Sequence, residues 1–66
     1  MTVTVNGEPR EVADELPLPA LLADYRLRPG MVVVERNGVA LTRSEAEATV
    51  LADGDVLELV RAVAGG

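Results

Sequence analysis

Residues 51–66 read LADGDVLELVRAVAGG, and the fold turns on how that stretch is read. Asp53-Gly54-Asp55 is a turn signal, because glycine supplies φ > 0 and aspartate side chains bond their own backbone. The run from Val56 to Val63 that follows is rich in β-branched and apolar residues, as a strand requires. It delivers the chain directly to Gly65 and Gly66, which have no side chain to cap, pack or carry charge. A strand of this kind, placed inside a sheet, would hold a terminal carboxylate on a thin thread anchored to a rigid body.

The rest of the chain supplies the sheet. MTVTV (1–5) alternates with period two and puts Met1, Val3 and Val5 on one face. Asn6-Gly7 is a two-residue hairpin signal of the type I′ kind, which needs φ > 0 at both positions. EPREV (8–12) is then the returning strand, placed at an edge because Pro9 cannot donate to a ladder. In LPLPALLADYRL (16–27), Leu18, Leu21, Leu22 and Tyr25 recur at i, i+3, i+4 and i+7 and form one apolar helical stripe. Pro17 and Pro19 fit only at or before the first turn. With no capping side chain the helix is expected to fray at its start, and Arg28-Pro29-Gly30 is expected to end it. MVVVE (31–35) reads as a strand covered on both sides or inside a sheet. Asn37-Gly38 leads to a short strand, VAL (39–41), and Thr42 and Glu45 have the T-x-x-E spacing of a capping box that opens a helical turn.

Strand, strand, helix, strand, strand, turn, strand in 66 residues predicts an α+β domain spanning 1–66. Its sheet is mixed, with four to five strands and one main helix across one face. Hairpin, helical crossover and further strands suggest the β-grasp, or ubiquitin-like, arrangement, with the last strand central beside the first.

Composition narrows the function. A chain of this size buries only ~60% of the surface its unfolded form exposes. There is no Cys and no His, so neither disulfide nor zinc can staple the fold, and no metal site is expected. Tyr25 is the only aromatic, which leaves the core to Val and Leu. Six basic residues against eleven acidic ones give a net charge of −5, and all six are arginine. Nucleic-acid binding needs clustered positive charge and stacking platforms, and is rejected. The longest apolar stretch, LPLPALLA, is far too short to span a bilayer and is broken by two prolines. No membrane association is expected, and a cytoplasmic location is.

Catalytic groups are equally scarce. Without Cys, His or Lys there is no thiolate nucleophile, no imidazole base, no Schiff base and no P-loop lysine. The carboxylates are scattered over turns and solvent faces, and Asp53-Gly54-Asp55 lacks the remaining ligands of a calcium loop. The chain is therefore read as a non-enzyme, with no catalytic residue and no bound cofactor. The one reactive group that stands out is the α-carboxylate of Gly66. A carboxylate becomes a useful electrophile only as an acyl-adenylate, and this domain cannot hold ATP, so ATP must be used by a partner enzyme. Gly65 suits the thread behind it, since a tail without Cβ atoms enters a narrow channel and adopts φ > 0 freely.

These residues resemble the ThiS family of bacterial sulfur carriers in thiamin synthesis. VTVNGEPREV matches its opening hairpin, LPALLADY its helix, VVVERNGVALTRSE its third strand and the segment after it, and LADGDVLELVRAVAGG its ending. Members often carry Pro before the Arg matching Arg43 and Trp at the position of Ala46; this chain has Thr42 and Ala46. The resemblance implies that a ThiF-like enzyme adenylates Gly66 and that a persulfide-bearing protein supplies sulfur. The resulting thiocarboxylate then serves a ThiG-like thiazole synthase. Two alternatives stay open. One is a MoaD-like carrier for molybdopterin or another thiocarboxylate pathway, and the other is a non-covalent ubiquitin-like interaction module. Val60, Arg61, Ala62 and Val63 are the candidate partner-binding residues, Val60 and Ala62 on one face, Arg61 and Val63 on the other. Core packing is the competing role for the valines, and simple solvation for Arg61.

Overall fold

The computed structural model describes residues 1–61. Its elements run β1 (Thr2–Val5), β2 (Glu8–Glu11), α1 (Leu18–Asp24), β3 (Val32–Arg36), β4 (Val39–Ala40), α2 (Arg43–Ala48) and β5 (Val56–Arg61). The five strands form one mixed sheet in the order β2-β1-β5-β3-β4. β1 and β5 are parallel, with Thr4 opposite Val56 and Val5 opposite Leu57, and the other pairings are antiparallel. The expected α+β, β-grasp class holds, and the last strand is the middle one.

Both Asn-Gly hairpins form as expected, with Asn6 at φ 50° and Gly7 at 84°, and Asn37 at 52° and Gly38 at 83°. Pro9 lies on the edge strand β2, where its missing N–H costs no ladder bond. The α1 stripe is buried as the spacing predicts. Leu18, Leu21 and Leu22 join Val3, Val5, Val32, Val34, Ala46, Leu51 and Leu57 in a single core between the helices and one sheet face.

Two local expectations are corrected, both at the ends of α1. The start of α1 is tied down where fraying was expected, because non-local partners replace the absent cap. The Leu18 N–H donates to Thr49 O at 2.9 Å, and Leu51 N–H donates to Leu16 O at 2.9 Å, so the segment after α2 zips against the helix entry. Pro19 has no N–H to satisfy, and Ala20 N–H reaches Pro17 O at 3.0 Å. The helix also ends before Arg28-Pro29-Gly30. Arg26 takes the left-handed conformation at φ 59°, its N–H bonds Ala23 O, and Leu27 N–H bonds Leu22 O. That is a Schellman motif with arginine where glycine is usual. Of the two readings of MVVVE, the strand inside the sheet holds, with β3 between β5 and β4 and one face covered: Val32 and Val34 are buried, while Val33 is 45% exposed.

α2 explains the two departures from the family pattern. The Thr42 side chain accepts from Glu45 N–H at 3.1 Å, and Glu45 Oε1 accepts from Thr42 N–H at 2.8 Å, completing the capping box. Ala46 faces the core at the contact between the helices, where it is buried.

Candidate functional site

The site is built around β5, the strand that leads to Gly-Gly. Its alternation turns Leu57 and Leu59 toward the helices and Val56, Glu58 and Val60 toward the uncovered face, while Arg61 is exposed at the strand's end. Val60, 54% exposed, stands opposite Val33, and Glu58 stands opposite Glu35. The helix-free side of the sheet thus shows an apolar valine pair next to two facing carboxylates. Like charges directly opposite one another are destabilising on a sheet, so this face is not arranged for the stability of the isolated domain.

Three polar side chains fix β5 in its central slot. Asn6 Oδ1 accepts from Leu59 N–H at 2.8 Å, beside the bond from Asn6 N–H to Leu57 O. On the other flank Asn37 Oδ1 accepts from Val56 N–H at 2.9 Å, and Asn37 N–H donates to Val56 O at 2.8 Å. Each hairpin asparagine therefore serves twice, giving the turn its φ > 0 residue and pinning the central strand. Asp55 closes the arrangement. It is buried, and its carboxylate accepts from Ala52 N–H at 2.9 Å, Asn37 Nδ2 at 3.0 Å and Arg36 Nε at 2.9 Å. Burial by itself pushes the Asp55 pKa up; the bonds from Ala52, Asn37 and Arg36, with the Arg36 charge, outweigh it and hold the carboxyl below its ordinary value.

In the same turn, Asp53 Oδ1 accepts from Thr2 N–H at 2.8 Å and Gly54 N–H donates to Thr2 O, which fastens β1 to the start of β5. Among the described residues no three metal-ligating side chains converge, and none of the helices there is long and apolar enough to cross a membrane.

Of the residues singled out from sequence, Val60 and Arg61 lie at the described end of β5, both exposed. Ala62, Val63, Gly65 and Gly66 lie outside the described residues. Val33 escaped the sequence reading. The signal was present, since three successive valines in an extended strand cannot all face one side, but only the register with β5 shows that the middle one joins Val60.

The sequence model of the ThiS family matches residues 3–66, from the first strand through the glycine pair. The chain belongs to the ThiS family. Its likeness to a solved ThiS-family structure spans the full chain. The crystal structure of the thiamine biosynthesis protein (ThiS) from Geobacter metallireducens is 38% identical, with a TM-score of 0.81 over all of both chains. A solution structure of a thiamine biosynthesis protein from the same organism gives 0.76, with 88% of that chain covered. Two thiazole synthases are also similar, that of Magnetococcus marinus at 35% identity and that of Paramagnetospirillum magneticum at 33%, each over all 66 residues. This ThiS-family chain spans only 20% of the length of either, so a ThiS-like segment is part of each of those larger polypeptides.

Proposed function

We propose that this chain is a sulfur carrier for the formation of the thiamin thiazole, and that Gly66 carries the sulfur. The Gly66 carboxylate attacks the α-phosphorus of ATP on a ThiF-like enzyme, and pyrophosphate leaves. The outer sulfur of a protein persulfide then attacks the acyl carbon, and AMP departs with the bonding electrons. A thiol reduces the acyl disulfide so formed and releases the thiocarboxylate, which gives its sulfur to a ThiG-like thiazole synthase. The chain is then a co-substrate of partner enzymes, with ATP bound by the partner.

The observation that carries this reading is the family match running through Gly65 and Gly66. The central placement of β5 supports it, because pairing on both flanks lets that strand bear the pull of a tail drawn into a partner's channel. The thiazole synthases containing a ThiS-like segment favour such an enzyme as the sulfur acceptor.

Activity and stability separate under this reading. Removing Gly66, or extending the chain beyond it, is expected to stop ATP–pyrophosphate exchange with the adenylating enzyme and leave the melting temperature nearly unchanged. Gly65→Ala is expected to slow exchange without stopping it where the bound tail needs φ > 0 at that position, since a Cβ then costs roughly 1 kcal/mol or more. Full exchange without Gly66 would end the carrier reading. Mass spectrometry of the native protein offers a second check: a carrier shows a fraction with one oxygen replaced by sulfur, and a non-covalent module shows none.

A further inference from the structure

We infer that Arg28, Arg43 and Arg61 form a basic rim at the tail-bearing end of the domain, and that this rim docks on carboxylates at the mouth of the adenylating enzyme. The inference rests on the carrier reading and adds the surface by which the partner is engaged.

The arginines divide into those already engaged and those still available. Arg36 is held by Asp55, and Arg10 donates to Tyr25 Oη at 2.7 Å. Arg26, at the end of α1, is engaged through its backbone alone and forms no ion pair among the described residues. The remaining three converge on the point where β3 begins and β5 leaves the sheet. Arg61 lies directly opposite Val32, the first residue of β3. Arg28 opens the turn before that strand, where its carbonyl accepts from Met31 N–H at 3.0 Å. Arg43, the first residue of α2, lays its guanidinium over Gly30 in the same turn. A Cβ at Gly30 would stand 3.2 Å from both Cζ and Nε of Arg43, and Gly30 is at φ +100°. Glycine is favoured there by its backbone, and a Cβ would push the exposed Arg43 guanidinium aside by a few tenths of an ångström.

Of these charges only that of Arg43 has a paired carboxylate among the described residues. Arg43 meets only Glu47, at 4.0 Å with both side chains largely exposed, and among the described residues Arg28 and Arg61 form no ion pair. The whole chain carries −5, and it must bring a carboxylate to an enzyme holding a nucleoside triphosphate. A local reversal of sign at the leading end orients such an encounter and speeds it. Distance decides which anion the rim meets. A five-residue tail drawn out fully in a partner's channel would span roughly 17 Å, about twice the Debye length of ~8 Å at physiological salt. The triphosphate lies beyond the rim's reach, and the enzyme's own docking surface lies within it.

The test is pyrophosphate exchange with the ThiF-type enzyme at low and physiological salt, with a thermal melt of every variant. Arg28→Ala, Arg43→Ala and Arg61→Ala are each expected to raise KM about two- to fivefold. The triple variant should raise it tenfold or more on the order of additive single effects, with kcat unchanged and the salt dependence of KM flattened. Arg10→Ala, which changes the net charge equally from across Val3 in the β1–β2 pair, should leave KM where it was. An unchanged KM in the triple variant at low salt, or an equal rise in Arg10→Ala, overturns the rim and leaves the carrier reading standing. Exchange absent with the unaltered chain overturns both.

Discussion

A carboxylate can sit inside so small a domain only if its oxygens are answered, and Asp55 satisfies this with three donors from two segments. Replacing it by Ala strands Ala52 N–H, Asn37 Nδ2 and the Arg36 guanidinium, an expected loss of ~2–3 kcal/mol in urea unfolding. That is a large share of the margin of a 66-residue chain. The pH dependence follows from the direction of the shift. The folded pKa lies below the unfolded value of 3.8, so the stabilisation is fully present above 3.8 and is lost as pH falls toward the depressed folded value. Stability measured from neutral pH downward should therefore drop most steeply below about 4, and Asp55→Asn should flatten that drop. An unchanged acid limb in Asp55→Asn would assign the loss to other carboxylates. At Arg26 the expected effect has the opposite sign. Its left-handed backbone costs ~1–2 kcal/mol for a residue with a Cβ, part of which glycine returns as unfolded-state entropy. Arg26→Gly should raise stability by about 0.5–1 kcal/mol, or a few degrees in Tm by roughly the scaling for domains of this size.

Among the elements, the two hairpins look alike in sequence and differ in what they hold. Glycine fits φ > 0 better than asparagine, so an Asn→Gly change in a pure turn would be neutral or favourable. Here Asn37→Gly removes the acceptor for Val56 N–H and a donor to Asp55, and should cost about 1–2 kcal/mol; Asn6→Gly loses the Leu59 bond alone and should cost less. Chemical denaturation of the two variants side by side checks the order. Thr42→Ala should cost ~1 kcal/mol through the lost capping box. The contrast also shows what was readable beforehand. Hairpins, the Leu18-Leu21-Leu22 stripe and the capping box are written in neighbouring residues, so local rules found them. The firm start of α1 depends on Thr49 and Leu51, some thirty residues downstream, and no local pattern announces it. The early end of α1 was missed because the rule looks for glycine, and Arg26 occupies the left-handed position instead. The exposure of Val33 depends on register with β5, which is again non-local.

For the molecule as a whole, the two sheet faces differ: one builds the core and the other leaves Val33, Val56 and Val60 exposed. Val60→Asp should therefore shift Tm little, within about 1 kcal/mol of stability as surface changes usually do, and weaken association with the adenylating enzyme; a large fall in Tm would return Val60 to the core. Gly66 was reached in the sequence by elimination of every other reactive group and lies outside the described residues, whereas the Val33–Val60 pair required the strand order. That order carries one more consequence. β1–β2 and β3–β4 are each local hairpins, but neither pairs with the other, and only β5 joins them. The sheet cannot close until the last strand arrives from the far end of the sequence, and such long-range closure is what sets the pace of folding. A chain cut before Val56 is expected to remain unfolded by circular dichroism. The architecture thus makes the helix-free face conditional on the last strand: a truncated or half-made chain cannot assemble the Val33–Val60 surface, because one half of it belongs to β5.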